Sequence, residues 1–544
     1  MRDSEIILCK GIKMDKNYEN VLSYSESDMV SLCRSNSVYT ATNTSILGAK
    51  ADSIDISVTY AVAMYANYMA FKNPTYGNKW IFAFITDVKY LSDSACRIFY
   101  QIDVWSTWYS SFHIGKAFVE REHVDDDTVG KHTVPEGLET GEYISQMSNN
   151  SSYQPVLTNM YYLSSVYIIV GVTTLGFTYA IPQNAQSNEY NGVYSGLRYL
   201  AFDSAQDLEK YIKNSQENLS SDNIATIFVS PAKLTGIENS DWITTSVSGD
   251  IHYSFKFAFV PTTTSEKDMG SFSFPKAAFL DSDYIPTNKK LLTFPFCFLN
   301  VTNNSGITKD YHYELFNTAN NCTFELRGTI GVGCSIKAYP IDYAIKGSYS
   351  STVENKLHSI DGGKLPTCGW LNDAYTNWLT SNSVNIGLNV ANDLFNGAAN
   401  IVSGNVVGGL STGFGGILSN VASVYQHSLQ PPSAKGGINQ GDLNFAQRFT
   451  FNTYPMSIKK EYAKVIDGYF SRFGYKVNEV KQPNLKTRTK FNFIKIGGKD
   501  DLVDGDIPAV ALSEINDIFR KGVTIFHNYS DFGNYTISNP IRSS

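Results

Sequence analysis

Charged side chains are almost absent from about sixty residues in the interior of this chain. Between Ala374 and Ala434 the only Asp, Glu, Lys or Arg is Asp393, although these residues make up 17% of the 544-residue sequence. The segment also lacks a run of about eighteen consecutive apolar residues, which excludes an ordinary transmembrane helix. It contains instead Gly, Ser and Asn interspersed with Leu, Ile, Val and Phe. A structureless loop of this length is rare in a compact domain, so we expect a specific role for it.

Three interpretations of this charge-poor segment remain open. It could be a membrane-active loop that stays hidden inside an assembly and later enters a bilayer. The spacings of Gly404 with Gly408 and of Gly409 with Gly413 would let helices approach closely in lipid. The alternatives, which are favoured less, are a buried helical hairpin and a flexible linker. Linkers usually carry Lys, Glu and Pro and few large apolar residues, which makes that last interpretation the weakest.

Few cysteines and little net charge bound the function further. The seven cysteines form no CxxC pair and are odd in number, which favours reduced thiols over a disulfide scaffold. The net charge of −7 argues against tight binding of nucleic acid, but not against a smooth conduit for it. Residues 1–21 contain no apolar core of signal-peptide length.

The sequence predicts a mainly β protein with three or four compact units. Aromatic residues reach 13%, and short alternating runs of β-branched and aromatic residues are frequent. Residues 80–90 and 96–105 predict a hairpin with a turn at 91–95, and 160–174 predict buried strands.

Three helices are predicted, at 203–215, 458–473 and 507–521. Gly474 and Gly522 follow the last two as candidate C-caps. The predicted buried face of helix 458–473 consists of Tyr462, Val465, Ile466, Tyr469, Phe470 and Phe473, and that of helix 507–521 of Leu512, Ile515, Ile518 and Phe519.

Polar residues concentrate in a predicted loop from Glu120 to Tyr143. The spacing of its acidic and His side chains matches neither HExxH nor an EF-hand, so a structural loop or subunit contact is favoured over a metal or catalytic site. Expected partners of the carboxylates are Arg121, Lys131 and His132. The cluster comprises Glu120, Glu122, His123, Asp125, Asp126, Asp127, His132, Glu136, Glu139 and Glu142.

A basic stretch, 476–499, favours a solvated or subunit-facing strand pair, with a lining for nucleic acid as the alternative. No GxSxG elbow and no complete Walker pattern is present in the sequence. We therefore predict no catalytic residue, no cofactor and no metal site.

Four stretches together resemble one family. Residues 84–108 read FITDVKYLSDSACRIFYQIDVWSTW, and 118–143 read FVEREHVDDDTVGKHTVPEGLETGEY. Residues 369–385 and 458–484 add to them. The combination resembles the distal tail knob, or tail tip, proteins of small Picovirinae-type short-tailed bacteriophages.

This resemblance implies a mainly β, multi-domain subunit with some α structure and a tail-tube-like β-barrel, assembled as a homohexameric tube. It implies a conduit for genome ejection at the distal end of the virion tail, made in the host cytoplasm. Implied partners are other tail proteins (lower collar or tail tube, and a tip peptidase or lysozyme), the viral DNA and the host cytoplasmic membrane. A tail-tip cell-wall hydrolase or a receptor-binding module is the alternative.

The resemblance also implies that the long apolar loop plugs the lumen and then inserts into the host membrane to form a pore. The implied organisation is an N-terminal tube domain (1–146), a second β-rich region (147–360), the long loop with a flanking helix (361–445), a return to the tube (446–500) and a final helix and strand (501–544). The predicted membrane-active residues are Ile386, Leu388, Val390, Leu394, Phe395, Ile401, Val402, Val406, Val407, Leu410, Phe414, Ile417, Leu418, Val421, Val424 and Tyr425.

Overall fold

The chain folds into two compact units that are both built mainly of β-strands. The structure is a computed structural model and describes residues 4–44, 52–74, 77–145, 166–190, 193–218, 223–248, 252–262, 267–276, 284–303, 306–317, 320–330, 335–344, 358–364, 367–369, 451–498 and 501–542. The charge-poor segment, with every predicted membrane-active residue, lies outside the described residues. The first unit comprises Met1–Glu142, Asp281–Thr293 and Ile458–Ser544, and the second comprises Tyr143–Leu280 and Phe294–Ser457. The predicted mainly β, multi-domain class is confirmed, but the compact units number two and not three or four.

The strands and helices of the described residues have the following bounds. The strands are β1 Ser4–Cys9, β2 Asn20–Leu22, β3 Ser37–Thr44, β4 Ser53–Ile56, β5 Tyr68–Lys72, β6 Trp80–Ser92, β7 Ala95–Ile102, β8 Phe112–Ile114, β9 Ala117–Glu122, β10 Tyr143–Ser145, β11 Val166–Val172, β12 Glu189–Tyr190, β13 Val193–Tyr194, β14 Arg198–Phe202, β15 Ile224–Pro231, β16 Trp242–Ser248, β17 His252–Phe259, β18 Lys267–Pro275, β19 Cys297–Thr302, β20 Thr308–Tyr311, β21 Asn321–Gly328, β22 Ser335–Pro340, β23 Ile360–Lys364, β24 Thr367–Gly369, β25 Asn452–Ile458, β26 Tyr475–Lys481, β27 Phe491–Ile496, β28 Val503–Gly505 and β29 Val523–Phe526. The helices are α1 Glu26–Ser35, α2 Tyr60–Ala63, α3 Val104–Trp108, α4 Ala205–Asn218, α5 Ala232–Thr235, α6 Lys460–Phe473 and α7 Ala509–Lys521.

Two sheets and a short ribbon build the first unit. The six-stranded sheet has the order β3-β1-β5-β6-β7-β4, and the five-stranded sheet has the order β2-β29-β27-β9-β26. The ribbon pairs β28 with β8. Neighbouring strands are antiparallel except β2 and β29, which run parallel. The five-stranded sheet therefore joins strands from the beginning of the chain to strands more than 400 residues later.

The predicted hairpin at 80–105 is confirmed, with corrected boundaries. Ser92 pairs with Ala95, so the turn consists of two residues and not five. The second strand ends at Ile102, because Asp103 caps α3: its carboxylate accepts the backbone N–H of Ser106 at 3.1 Å. Residues 104 and 105, predicted as strand, are helical for this reason.

Trp105 connects the hairpin to the other sheet of the first unit. Its indole N–H donates to the carbonyl oxygen of Leu22 in β2 at 2.8 Å. Its ring lies 5.4 Å from that of Phe519 in α7. Asp103 next to it is fully buried and accepts a hydrogen bond from the Tyr68 hydroxyl at 2.7 Å, and burial raises the pKa of this carboxyl. The anchoring polar groups are thus inside the unit, where they fix the direction of α3.

The three predicted helices are confirmed as α4, α6 and α7, but the buried face of α6 is narrower than predicted. Ile466 and Phe470 are buried, as expected, whereas Val465 is 73% exposed and Tyr462 is 38% exposed. Because α6 packs through one stripe only, apolar residues beside that stripe remain at the surface. On α7, Ile515, Ile518 and Phe519 are buried, while Leu512 is half-buried.

Within the described residues, the second unit contains three larger sheets and an aromatic core. A six-stranded sheet has the order β16-β17-β14-β11-β15-β24, and two four-stranded sheets have the orders β10-β25-β19-β20 and β18-β21-β22-β23. The predicted buried strand in 160–174 is confirmed for Val166–Val172, and residues 160–165 lie outside the described residues. Ile168 and Ile169 belong to different apolar clusters, so β11 is covered on both faces. This explains its continuous apolar sequence.

One short segment belongs to a different unit from its neighbours in the sequence. Residues 281–293 lie between β18 and β19 of the second unit in sequence, yet belong to the first unit. Nothing in the sequence patterns predicts this exchange. The five-part division of the chain stays a prediction, because most of its central part lies outside the described residues.

Replacing Gly474 by alanine should destabilise the first unit by more than about 3 kcal/mol. Gly474 has φ 66° and ψ −156°, a conformation that only glycine adopts readily. A Cβ atom there would lie 2.0 Å from the carbonyl oxygen of Glu122. Denaturant unfolding of the full chain measures the change.

Gly468→Ala on the same helix is the matched control. Nothing lies within 4 Å of a Cβ at that position, so alanine should raise the free energy of unfolding by up to about 1 kcal/mol. Equal effects of the two substitutions would contradict the assignment of Gly474 as a conformationally required glycine.

Candidate functional site

The polar cluster predicted at 120–142 begins on a strand and continues as a loop. Glu120, Arg121 and Glu122 belong to β9, because that strand pairs on both sides, with β26 and with β27. The predicted loop start at Glu120 is therefore wrong by three residues. Residues 123–142 form the carboxylate-rich loop, which folds back over the first unit.

Glu136 is the most buried carboxylate of this loop. Its side chain is 1% exposed and forms ion pairs with Arg121 of β9 and Lys290 of the segment 281–293. It also accepts the backbone N–H of Lys476 at 3.0 Å. Burial lowers the pKa of Lys290, an effect that the neighbouring Glu136 opposes. We call Arg121, Glu136 and Lys290 the Glu136 triad.

The two cations of the triad are themselves fully engaged. The Arg121 guanidinium donates to the carbonyl oxygen of Gly474 at 2.7 Å and lies 4.9 Å from the centre of the Tyr469 ring. The Lys290 ammonium donates to the carbonyl oxygen of Val134 at 2.9 Å. The triad therefore joins β9, the loop, the segment 281–293 and the end of α6.

Asp467 of α6 holds the same segment from the other side. Its carboxylate accepts the backbone N–H groups of Thr287 at 2.8 Å and Asn288 at 2.9 Å, the Asn288 amide at 2.7 Å, and the Tyr284 hydroxyl. Asp467 is buried, and these four donors replace the water that its charge would otherwise need. The only indication of this contact in the sequence is the position of Asp467 among the apolar residues of α6.

Asp127 completes the attachment of the loop. It accepts the Tyr475 hydroxyl at 2.6 Å and the backbone N–H of Lys289 at 3.1 Å. Burial, with Asp127 adding to it, raises the pKa of Tyr475. The sequence patterns do not indicate Lys290, Asn288 and Tyr475 as partners of the carboxylates.

Most of the remaining carboxylates lie nearer the surface, whereas Glu122 is buried in its ion pair with Lys481. Lys131 pairs with Asp126 at 2.6 Å and His132 contacts the Asp126 carbonyl at 2.8 Å, as expected, whereas Arg121 pairs with Glu136. Asp125 and Glu139 are exposed. The other pairs are Glu120 with Lys495, Glu122 with Lys481, and Glu142 with Lys459.

The basic stretch 476–499 forms two strands, but they do not pair with each other. β26 and β27 lie on opposite sides of β9 and place Lys481 and Lys495 against its carboxylates. Within the described ranges, no group of three or more His, Cys, Asp or Glu side chains is arranged to hold a metal ion. None of the helices in the described part of the chain is long and apolar enough to span a membrane.

Comparisons with known proteins agree with this architecture. Residues 2–113 match the profile described as Caudoviral major tail protein N-terminus. Residues 256–540, more than half of the chain, match the profile described as Bacillus phage phi29, Tail knob protein gp9, C-terminal domain. The matched regions cover both ends of the first unit. They define a structural protein of a bacteriophage tail.

Full-length relatives narrow this class. Tail knob protein gp9 of Bacillus phage phi29 is 24% identical over 94% of this chain and 93% of its own, and that of Bacillus phage PZA is 26% identical over 90% of each. The tail knob protein gp12 of bacteriophage C1 has a similar fold, with a TM-score of 0.54, 14% identity and coverage of 99% of this chain and 100% of that one. The chain belongs to the phi29-type tail knob protein family, which confirms the resemblance found in its sequence.

Replacing Glu136 by glutamine should lower the free energy of unfolding by about 3–5 kcal/mol, because Arg121 and Lys290 would remain buried without their counter-charge. Glu142→Gln is the matched control, since Glu142 has a 66% exposed side chain in its ion pair with Lys459. That change should cost at most about 1 kcal/mol. Denaturant unfolding of both variants measures the difference, and equal costs would contradict the structural role of the triad.

Acid should destabilise the first unit through His123. Its Nδ1 accepts the backbone N–H of Phe493 at 2.7 Å and its Nε2 lies 3.1 Å from the carbonyl oxygen of Ser471, so the ring is neutral. Burial lowers the pKa of His123 to about 3. The folded state therefore binds fewer protons than the unfolded state below pH ~6.5, and stability falls from there toward pH ~3.

His123→Asn keeps an acceptor and removes the titrating ring. The pH dependence of the unfolding free energy between pH 6 and 4 should become shallower by about 1.4 kcal/mol per pH unit, the value for one proton. An unchanged slope in this variant would show that His123 does not titrate on unfolding.

Proposed function

We propose that this tail knob protein forms a homohexameric tube at the distal end of the virion tail and serves as the conduit through which the genome leaves the particle. Its membership of the tail knob family and the tail-protein match at 2–113 support this role. Open β-sheets that continue from one subunit to the next leave no exposed strand edges, which favours a closed ring. Other tail proteins, among them the lower collar or tail tube and a tip peptidase or lysozyme, are the expected partners.

The charge-poor segment carries the membrane part of the proposal. Residues of about 385–440 plug the lumen before infection and then enter the host cytoplasmic membrane as a pore. A helical span of about twenty residues, with a rise of about 1.5 Å per residue, is long enough to cross the ~30 Å hydrocarbon core. Two such spans fit in the segment, with a turn between them near Gly408 and Gly409. Six copies around an axis supply partners for the Asn and Ser side chains, which one copy alone would leave unsatisfied in lipid.

The same proposal assigns a structural and not an enzymatic role to the carboxylate-rich loop. A glycoside hydrolase needs two carboxyl groups that face a substrate groove. Here Glu136 and Asp467 are buried and fully bonded, and Glu120, Glu122 and Asp126 are paired with lysines. This supports a protein whose carboxylates hold its own chain together.

A charge placed in the apolar part of the segment should abolish membrane activity while leaving assembly intact. Val407→Asp should cost about 2.5–3.5 kcal/mol per copy at the centre of a bilayer, repeated in each subunit. Release of dye from liposomes, triggered by low pH, should therefore fall sharply. The matched control is Val465→Asp, at a position on α6 that is 73% exposed.

A deletion separates the plug from the core. Removal of residues 397–428 should leave a folded hexamer that no longer releases dye. Loss of folding on this deletion would show that the segment belongs to the core, and leakage that persists in both Val407→Asp and the deletion would contradict insertion of this segment.

A further inference from the structure

The two ends of the strands in the five-stranded sheet of the first unit carry side chains of opposite charge. β27 and β9 run antiparallel, with Ile494 opposite Glu122 and Ile496 opposite Val119. The start of β27 and the end of β9 therefore lie at one end of the sheet, and the end of β27 and the start of β9 lie at the other. The six residues of β27 separate these ends by about 20 Å.

Cations collect at the start of β27. Residues 539–542 run alongside 487–491, where the Arg542 backbone N–H donates to the Thr487 carbonyl at 2.8 Å and Arg488 bridges to Ile541. Lys486 and Arg542 therefore lie together, and we call them the basic end. Arg488 lies beside them in the chain, but its side chain is largely buried and interacts with Asp127 and Tyr475. Lys486 and Arg542 are exposed and form no ion pair with any other described residue. Both lie near His527. Burial lowers the pKa of this His to about 4, and the two positive charges add to the effect.

Carboxylates collect at the opposite end. The backbone N–H of Gly115, just before β9, donates to the Leu502 carbonyl at 2.7 Å, and β28 pairs with β8. This places Asp501, Asp504 and Asp506, all exposed, beyond the end of β27. We call them the acidic end. Arg520 pairs with Asp501, whereas Asp504 and Asp506 have no ion-pair partner among the residues described.

We propose that the basic end of one copy docks against the acidic end of the next copy in the ring. Complementary patches at different places on one subunit give head-to-tail contacts, which close into a ring when the rotation permits. Charge complementarity of this kind fixes orientation and suppresses wrong contacts. The proposal rests on the ring assembly proposed above and adds a charged contact between neighbouring copies to it.

A second copy fits the basic end better than nucleic acid does. The basic end offers only two exposed cations, whereas the same sheet presents carboxylates about 20 Å away and the chain has a net charge of −7. A duplex following this sheet would meet both signs of charge, which weakens phosphate binding. In a head-to-tail contact with another copy, the cations of one subunit face the carboxylates of the next subunit.

Charge reversal tests the contact. Variant one carries Lys486→Glu and Arg542→Glu, and variant two carries Asp504→Lys and Asp506→Lys. Each alone should need at least about tenfold more protein to form the ring, because like charges then face each other. An equimolar mixture should assemble as a ring of alternating subunits, since every junction regains opposite charges. Native mass spectrometry reports the composition of each ring.

A matched control reverses charges elsewhere on the first unit. Lys89→Glu with Lys464→Glu also changes two exposed cations that form no ion pair with another described residue, on β6 and α6, and should assemble as the unchanged protein does. Circular dichroism verifies folding, and glutamine at the same positions replaces any variant that fails to fold.

The outcomes separate the proposals. Normal assembly of both single variants, or failure of the folded mixture to assemble, overturns the head-to-tail contact and leaves the conduit function standing. Normal assembly of variant one with loss of binding to a short DNA duplex assigns the basic end to nucleic acid instead. An unchanged protein that stays monomeric overturns both the ring and this contact.

Discussion

Burial of the Glu136 carboxylate is the constraint on which the first unit depends. A buried carboxylate is tolerable only with counter-charges and hydrogen-bond donors in place, and here they come from β9, from the segment 281–293 and from the backbone of β26. The most distant of these groups, the backbone of Lys476, lies 340 residues from Glu136 along the chain. The unit can therefore reach its final packing only when its distant segments are together. The triad stabilises the contacts between segments that lie far apart in the sequence.

This arrangement is consistent with a central part of the chain that, on our proposal, changes position while the first unit stays folded. The first unit is assembled mainly from residues before 143 and after 457, and the second unit is inserted between them. The charge-poor segment departs after β24 and the chain returns at β25, which are strands of two different sheets of the second unit. On our proposal, both ends of the loop are thus fixed to strands outside the tube-forming unit, and the loop can leave the lumen without loss of the ring.

Local patterns predicted several of the elements, whereas the contacts between distant parts of the chain were not predictable. The hairpin of β6 and β7 and the helices α6 and α7 follow from alternation, helical spacing and the glycines that end the helices. The helix α3 was missed because a single capping side chain, Asp103, overrides a strand-like sequence. The role of Lys290 could not be predicted, since a lysine in a polar turn looks the same in sequence whether it faces water or a carboxylate 154 residues away. The family resemblance, in contrast, came from long motifs around β7 and the carboxylate-rich loop, where the chain is tied together.

Electron cryo-microscopy of the assembled particle tests the central claim most directly. The account predicts a ring of six copies around a continuous lumen, with the first unit forming the wall and density from residues 385–440 inside the lumen before genome release. After triggering in the presence of liposomes, that density should be absent from the lumen and present in the bilayer. A particle without a lumen, or one in which residues 385–440 pack on the outer surface in both states, would contradict the account.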